Sequence, residues 1–249
     1  MTRATGPGRG GRVGVIVPAA GSGTRMGGRL QGVRKAFLEL AGEPSLLHAL
    51  RPFLAEPRVV AIAVSLPEEA VAAPPAWLSG LDERILLVEG GTTRTRSVRA
   101  GLAALPSALD AIAVHDAARP LVTPAVVATC IDIALAGFGA VAGCPAVDTL
   151  KRVDGSRRVL ETPARDGVWQ AQTPQVFPAA VLRSAYADPT AEATDDSALV
   201  ERFAPELAVT MVDAGATNLK VTRPEDVALA EAILHSRLLQ SRLLEGGAR

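Results

Sequence analysis

Five short aliphatic runs recur along this chain, at residues 13–17, 59–64, 84–88, 111–114 and 139–144. Each stops at small or polar residues, and stretches long enough for a helix separate them. Runs this short and this apolar on both faces read as buried parallel strands. Strands alternating with helices argue an α/β fold built on a doubly wound, mostly parallel, Rossmann-like sheet. A sixth run, 208–212, obeys the same rule. At 249 residues the chain suits one large domain, and with 48% apolar but only 3% aromatic residues its core must be aliphatic.

The loop after the first run is unusual. Pro18-Ala19-Ala20-Gly21-Ser22-Gly23-Thr24-Arg25-Met26-Gly27-Gly28 is small and glycine-rich, and Arg25, Arg34 and Lys35 add three cations. Small residues let backbone N–H groups close around an anion, and guanidinium and ammonium groups neutralise a polyphosphate. No Gly-Lys-Ser/Thr is present, so this is not a Walker loop. The dinucleotide fingerprint also fails, because the third glycine is misplaced and the second strand ends at Ser65-Leu66-Pro67 without an acid. A nucleotide held by glycines and cations remains.

Ligands of open α/β sheets gather at the carboxyl ends of the strands. Gly90-Gly91 with Arg94 and Ser97 comes after the third run, with Ser97 expected at a helix start. His115-Asp116-Ala117-Ala118-Arg119-Pro120 comes after the fourth. Asp116 is a candidate Mg²⁺ ligand, since a hard cation takes carboxylate oxygen; a helix cap or a partner for Arg119 is the plainer alternative. His115 reads as structural as readily as catalytic. Thr149, Lys151, Arg165, Thr173, Thr194, Lys220 and Arg223 add cations and hydroxyls with no evident general base. That set suits phosphoryl chemistry driven by positioning and charge neutralisation.

The strand–helix rhythm breaks at 147–170. Two strand-like pieces, 148–153 and 157–162, flank Asp154-Gly155, a hairpin turn signal. Such a piece has no core of its own, so it is expected as an arm lying on a partner subunit, or as a flap over its own site. Helices are expected from Pro44, from Thr123 with Pro124 at its first position, from Pro178, from Thr194 or Asp195, and from a capping box at Thr222–Glu225. Residues 70–82 carry no clear pattern. Residues 1–11 read as a disordered leader, 12–240 as one domain, and 241–249 as a frayed tail.

Lys plus Arg balance Asp plus Glu at 26 each, so no global field draws nucleic acid or an anionic membrane. Cys130 and Cys144 read as core thiols. No run is long and apolar enough to span a bilayer, so a cytoplasmic protein is the default expectation.

These motifs together resemble the 2-C-methyl-D-erythritol 4-phosphate cytidylyltransferase family of the non-mevalonate isoprenoid pathway. The stretches that carry the likeness are Pro18-Ala19-Ala20-Gly21-x-Gly23-x-Arg25-Met26, Lys35, Gly90-Gly91 with Arg94 and Ser97, and His115 to Pro120. They continue through Asp148-Thr149-x-Lys151, Thr173-Pro174-Gln175-x-Phe177, Thr194-Asp195 and Asn218-x-Lys220-Val221-Thr222-x-Pro224-Glu225-Asp226. The resemblance implies a nucleotidyltransferase fold with a protruding β-arm, and transfer of a cytidylyl group from CTP to the polyol phosphate with release of pyrophosphate. It implies that Arg25 and Lys35 hold the triphosphate, while Ala19, Ala20, Gly21, Gly23, Gly90 and Ser97 seat the nucleotide. Asp116 would carry Mg²⁺ beside the ribose. Arg119, Thr173, Thr194 and Lys220 would line the sugar-phosphate side, with Lys220 at the reaction centre. Thr149 and Arg165 would enter the neighbouring subunit's site in a homodimer with exchanged arms.

The chain departs from the family pattern at Arg34-Lys35-Ala36, where Pro-Lys-Gln is common. It departs again at Thr92, Thr93 and Arg96, where acids are common, which makes that rim more positive. Related ribitol 5-phosphate cytidylyltransferases share most of these motifs. A non-catalytic nucleotide-sugar sensor would be expected to lose Lys35, Asp116 or Lys220, and all three are present. Some family members carry a further cyclodiphosphate synthase domain; this chain is expected to be monofunctional.

Overall fold

The computed structural model describes residues 10–21 and 35–246, the side chains of Lys35 and of 241–246 excepted. Gly23, Arg25 and Arg34 of the glycine loop lie outside the described residues, as do residues 1–9 and 247–249. The elements run β1 (Val13–Pro18), a 3₁₀ turn (Lys35–Phe37), β2 (Glu39–Leu40), β3 (Glu43–Pro44), α1 (Ser45–Leu54), β4 (Val59–Leu66) and α2 (Glu68–Ala72). They continue with β5 (Ile85–Glu89), α3 (Arg94–Ala104), β6 (Ala111–Val114), α4 (Pro124–Leu135) and β7 (Gly139–Pro145). The last are β8 (Arg152–Val153), β9 (Val159–Glu161), β10 (Trp169–Pro178), α5 (Ala179–Ala185), α6 (Asp196–Phe203), β11 (Val209–Asp213) and α7 (Pro224–Gly246).

Seven strands form one sheet in the order β11-β7-β10-β6-β1-β4-β5. β1 runs parallel to both β4 and β6, and β4 to β5. On the far side β7 and β11 are parallel. The doubly wound, mostly parallel sheet is therefore present, with one strand against the grain: β10 is antiparallel to both β6 and β7. The sequence pattern predicts no strand there. Pro174 interrupts the pattern, and Gln172, Thr173 and Gln175 are polar yet buried, so β10 lacks the apolar signature of its neighbours. α2 is likewise unanticipated within the poorly patterned stretch.

Side-chain alternation along β1 sorts the two layers. Val13, Val15 and Val17 join Leu46, Leu50 and Phe53 of α1 and Val127 and Ile131 of α4 on one face. Ile16 joins Val98 and Leu102 of α3, Leu182 of α5 and Leu199 of α6 on the other. A Cβ at Gly101 would stand 2.5 Å from Ile16 Cγ2, so glycine lets α3 press onto β1. A third cluster, Leu40, Leu121, Val221 and Ala230, docks α7 over the β2–β3 hairpin. Cys130 and Cys144 are both free and buried, as expected of core thiols.

Local signals hold with two adjustments. Thr123 accepts from the Val126 N–H and Asp195 from the Ala198 N–H, so both cap their helices. At α7 the carboxylate reaching back belongs to Asp226, not Glu225, and it accepts from the N–H groups of Thr222 and Arg223 and from the Thr222 hydroxyl. Asp154-Gly155 does not make a two-residue turn. The loop runs on to Arg158, with the Asp154 carboxylate accepting from the Ser156 and Arg158 N–H groups and Arg157 taking the positive φ of 64°.

The arm between β7 and β10 stands apart from the main sheet as the β8–β9 pair. Its apolar side chains Val153, Val159 and Leu160 are all exposed, Leu160 at 62%. Among the described residues, no helix is long and apolar enough to cross a membrane.

Candidate active site

The strand order reverses at β1, whose successor β4 lies on one side and β6 on the other. The carboxyl ends of β1 and β6 thus open one crevice, and the polar residues collect there. On the β1 side Ala19 is tied to Ser65 by its N–H at 2.8 Å. A Cβ at Gly90 would meet Ala20 Cβ at 2.4 Å and Ser97 Oγ at 3.1 Å, so Ala20, Gly90 and Ser97 converge on one wall that only a glycine permits. Ser97 is not at the helix start. Thr93 caps α3 and Ser97 lies a turn inside it, donating to the Gly91 and Thr93 carbonyls.

Asp116 is the centre of charge. It lies just past β6, is 7% exposed, and accepts from Arg94 Nε on Oδ1 at 3.0 Å and from Lys220 Nζ on Oδ2 at 2.6 Å. Burial works against its charge, but Arg94 and then Lys220 outweigh it and hold the carboxyl well below the usual range. Arg94 turns its other two nitrogens onto Asp196, at 3.0 and 2.7 Å, and Asp196 is fully buried at the start of α6. The Tyr186 hydroxyl donates to the same Asp196 carboxylate. Two acids and two cations therefore alternate as Lys220–Asp116–Arg94–Asp196. Sequence alone gives Arg94 no specific role. Its signal is visible there only as a basic residue in a motif, because its partners come from distant segments.

Below Asp116 lies a chain of oriented hydrogen bonds. The Asp116 N–H donates to Thr173 Oγ1 at 3.0 Å. His115 Nε2 faces the Arg119 carbonyl at 3.1 Å, so that nitrogen carries the proton. Its Nδ1 is then an acceptor for the Thr173 hydroxyl at 3.1 Å. Burial pushes His115 down to about 4, and its ring packs 5.2 Å from that of Phe53. This histidine is a neutral brace. Thr173 is buried, with its hydroxyl occupied by Asp116 and His115, so it acts on the site through Asp116.

Gln175 extends the scaffold. Its Oε1 accepts from the N–H groups of Asp196 and Ser197, and its Nε2 donates to Asp195, which clamps α6 against β10. On the other side Val221 donates to the Ala118 carbonyl, which carries Lys220 over Asp116. Arg119 does not pair with Asp116. Its Nη1 donates to the Asn218 carbonyl at 2.8 Å, and burial lowers its pKa.

Thr194 is exposed beside the α6 cap. Thr149 and Arg165 are exposed on the arm, and neither hydrogen-bonds to the Asp116 cluster; an Arg165 N–H donates to the Val147 carbonyl. The rim at Thr92, Thr93 and Arg96 is faced by an acid: Thr93 donates to Glu192 at 3.0 Å, and Arg96 stands 3.9 Å from it.

Among the described residues, no three His, Cys, Asp or Glu side chains gather as a metal-binding group. Both Asp116 oxygens are paired, so this carboxylate would fit Mg²⁺ of the kind bound through one or two carboxylates plus nucleotide phosphates once Lys220 releases Oδ2.

The family model described as 2-C-methyl-D-erythritol 4-phosphate cytidylyltransferase matches residues 13–236. The chain belongs to this family. A 2-C-methyl-D-erythritol 4-phosphate cytidylyltransferase of Acidobacterium capsulatum is 40% identical over 237 residues, covering 91% of this chain and 98% of its own. One of Laribacter hongkongensis is 42% identical over 223 residues, covering 88% and 94%. Among solved structures, the family's enzyme from Thermus thermophilus superposes with a TM-score of 0.73 at 34% identity, covering 89% of this chain and 98% of its own. The chain is thus an enzyme of this cytidylyltransferase type.

Proposed function

We propose that the chain transfers the cytidylyl group of CTP to 2-C-methyl-D-erythritol 4-phosphate. A phosphate oxygen of the acceptor attacks the CTP α-phosphorus in line, the α–β bridging P–O bond breaks, and pyrophosphate leaves with the electron pair. The observation that carries this reading is the Lys220–Asp116–Arg94 cluster at the β1–β6 crevice, beside the strand that feeds the cationic glycine loop.

Arg25 and Lys35 hold the triphosphate and stabilise charge on the phosphorane oxygens. Ala19, Ala20, Gly21, Gly23, Gly90 and Ser97 seat the nucleotide, Ser97 by fixing the Gly91 and Thr93 carbonyls. Asp116 is the residue that would hold Mg²⁺, which supplies charge neutralisation on the phosphates when bound. Lys220 is half-exposed and reaches the crevice, so it can exchange Asp116 for the incoming phosphate. Arg119 and Thr194 line the acceptor side, and Thr173 holds Asp116 in place.

Thr149 and Arg165 complete the acceptor site of a second copy in a homodimer with exchanged arms. The exposed Val153, Val159 and Leu160 support this, since an isolated hairpin has no core of its own.

Incubation with CTP, Mg²⁺ and a panel of polyol phosphates tests the reading. Pyrophosphate and a CDP-product should form with 2-C-methyl-D-erythritol 4-phosphate in preference to ribitol 5-phosphate. Preference for ribitol 5-phosphate would overturn the acceptor, and no product with any polyol would overturn the activity.

A further inference from the structure

Away from the Asp116 cluster, α3 and α5 hold one another through two arginines. Arg99 of α3 donates to the carbonyls of Tyr186, Asp188 and Ala191, just past α5, at 3.4, 2.5 and 2.6 Å. Arg183 of α5 donates to those of Leu102, Leu105 and Pro106, at the end of α3, at 2.8, 3.3 and 2.9 Å. Between them lies a cleft of about 250 Å³ lined by Arg99, Leu102, Ala103, Arg183 and Tyr186. The Arg99 guanidinium carbon is 5.7 Å from the Tyr186 ring centroid.

Among the described residues, every hydrogen-bond partner of both arginines is a neutral carbonyl. Among the described residues neither forms an ion pair with a carboxylate. No acidic side chain lines the cleft. The acids of the adjoining segment are turned elsewhere: Asp188 accepts from Thr190, and Glu192 accepts from Thr93 and feels Arg99 only through space. Two positive charges thus share one cleft without a bonded counter-charge. Each guanidinium also keeps a buried nitrogen with no acceptor, Nη1 of Arg99 and Nε of Arg183. Two guanidiniums that face one cleft without a bonded counter-charge are matched by an oxyanion, which accepts from both.

We propose that this cleft binds a small phosphate-bearing anion, held jointly by Arg99 and Arg183. The spare N–H groups are closed off from solvent, so binding turns the guanidiniums toward the cleft and trades part of their hold on the α3 and α5 carbonyls for the anion. The volume suits phosphate or a short phosphate ester. Tyr186 forms one wall, and its hydroxyl reaches Asp196, which chelates Arg94, which holds Asp116. An anion here therefore acts on the active site through Tyr186, and the linkage makes the effect reciprocal.

The arginines brace two helices, so their removal confuses binding with folding; Ala103 does not. It is exposed on α3 and lines the cleft, so Ala103→Glu adds a negative charge at the rim and Ala103→Gln is its uncharged control. Inorganic phosphate is the probe, in crystals and in steady-state assays of the full chain. Phosphate density should lie between Arg99 and Arg183. Phosphate should also inhibit in a way that neither saturating CTP nor saturating acceptor relieves. Ala103→Glu should weaken that component at least about tenfold, with Ala103→Gln unchanged. Phosphate found only in the β1–β6 crevice, or inhibition that is identical in the two variants, would overturn the proposal. The crystallographic arm needs no turnover, so it stands apart from the assignment of the reaction.

Discussion

Lys220 and Asp116 are 104 residues apart in sequence, yet Lys220 Nζ meets Asp116 Oδ2 at 2.6 Å. Arg94 takes the other oxygen, so the carboxylate is gripped from α3 on one side and from the segment after β11 on the other. The cluster therefore already holds the charges that phosphate chemistry needs. It also stays neutral enough to be buried, because Asp196 balances Arg94.

Asp116→Asn should lower turnover by about 100-fold or more, as removal of a preorganised charge at a phosphoryl site does. The stability loss should be no more than about 2 kcal/mol, because Arg94 keeps Asp196 and the half-exposed Lys220 turns to solvent. Urea unfolding and an Mg²⁺ titration check both halves. An unchanged Mg²⁺ dependence would remove Asp116 from the metal site.

Arg94→Lys should not behave as a conservative change. A single ammonium cannot hold Asp196 through two parallel bonds and Asp116 through a third. With Asp196 fully buried, the expected loss is about 3 kcal/mol, together with a fall in kcat. If the lysine variant unfolds at the wild-type urea midpoint, the four-charge cluster is not a structural unit.

Folding stability should fall on acidification before the carboxylates respond. His115 is neutral in the folded protein down to about pH 4, against an ordinary value of 6.5. Between those values the unfolded chain binds the extra proton, so stability is present above 6.5 and is lost as pH falls toward 4. The loss attributable to His115 is about 3 kcal/mol at most. Asp116, with its lowered pKa, gives up its contribution only below its ordinary 3.8. A His115→Gln variant should show a flatter stability–pH slope between 6.5 and 4; an identical slope would assign the loss to other groups.

The sheet was legible because six of its strands are short, mostly apolar runs that stop at small or polar residues. β10 was not, because its buried Gln172, Thr173 and Gln175 serve the site and α6 instead of the core. Asp116 and Lys220 could be read from their motifs. Arg94 and Asp196 form an ion pair 102 residues apart, and no local pattern announces it. The rim around Arg96 looked more positive in sequence than it is in space, because Glu192 arrives from beyond α5 to face it.

The arm carries the last prediction. Arg165 and Thr149 are exposed on a hairpin whose apolar residues Val153, Val159 and Leu160 are exposed too, and among the described residues neither hydrogen-bonds to the Asp116 cluster. If they serve a second copy, Arg165→Ala and Lys220→Ala each inactivate a homodimer by removing a different half of the same site. Each site of an exchanged-arm dimer takes Lys220 from one subunit and Arg165 from the other. Random re-pairing then gives half mixed dimers, each with one of two isologous sites intact, and activity recovers to roughly a quarter of wild type. Native mass spectrometry verifies the re-pairing. Mixed dimers without recovered activity would mean that Arg165 acts within its own subunit or not in the site at all, which leaves the arm as a dimer clasp.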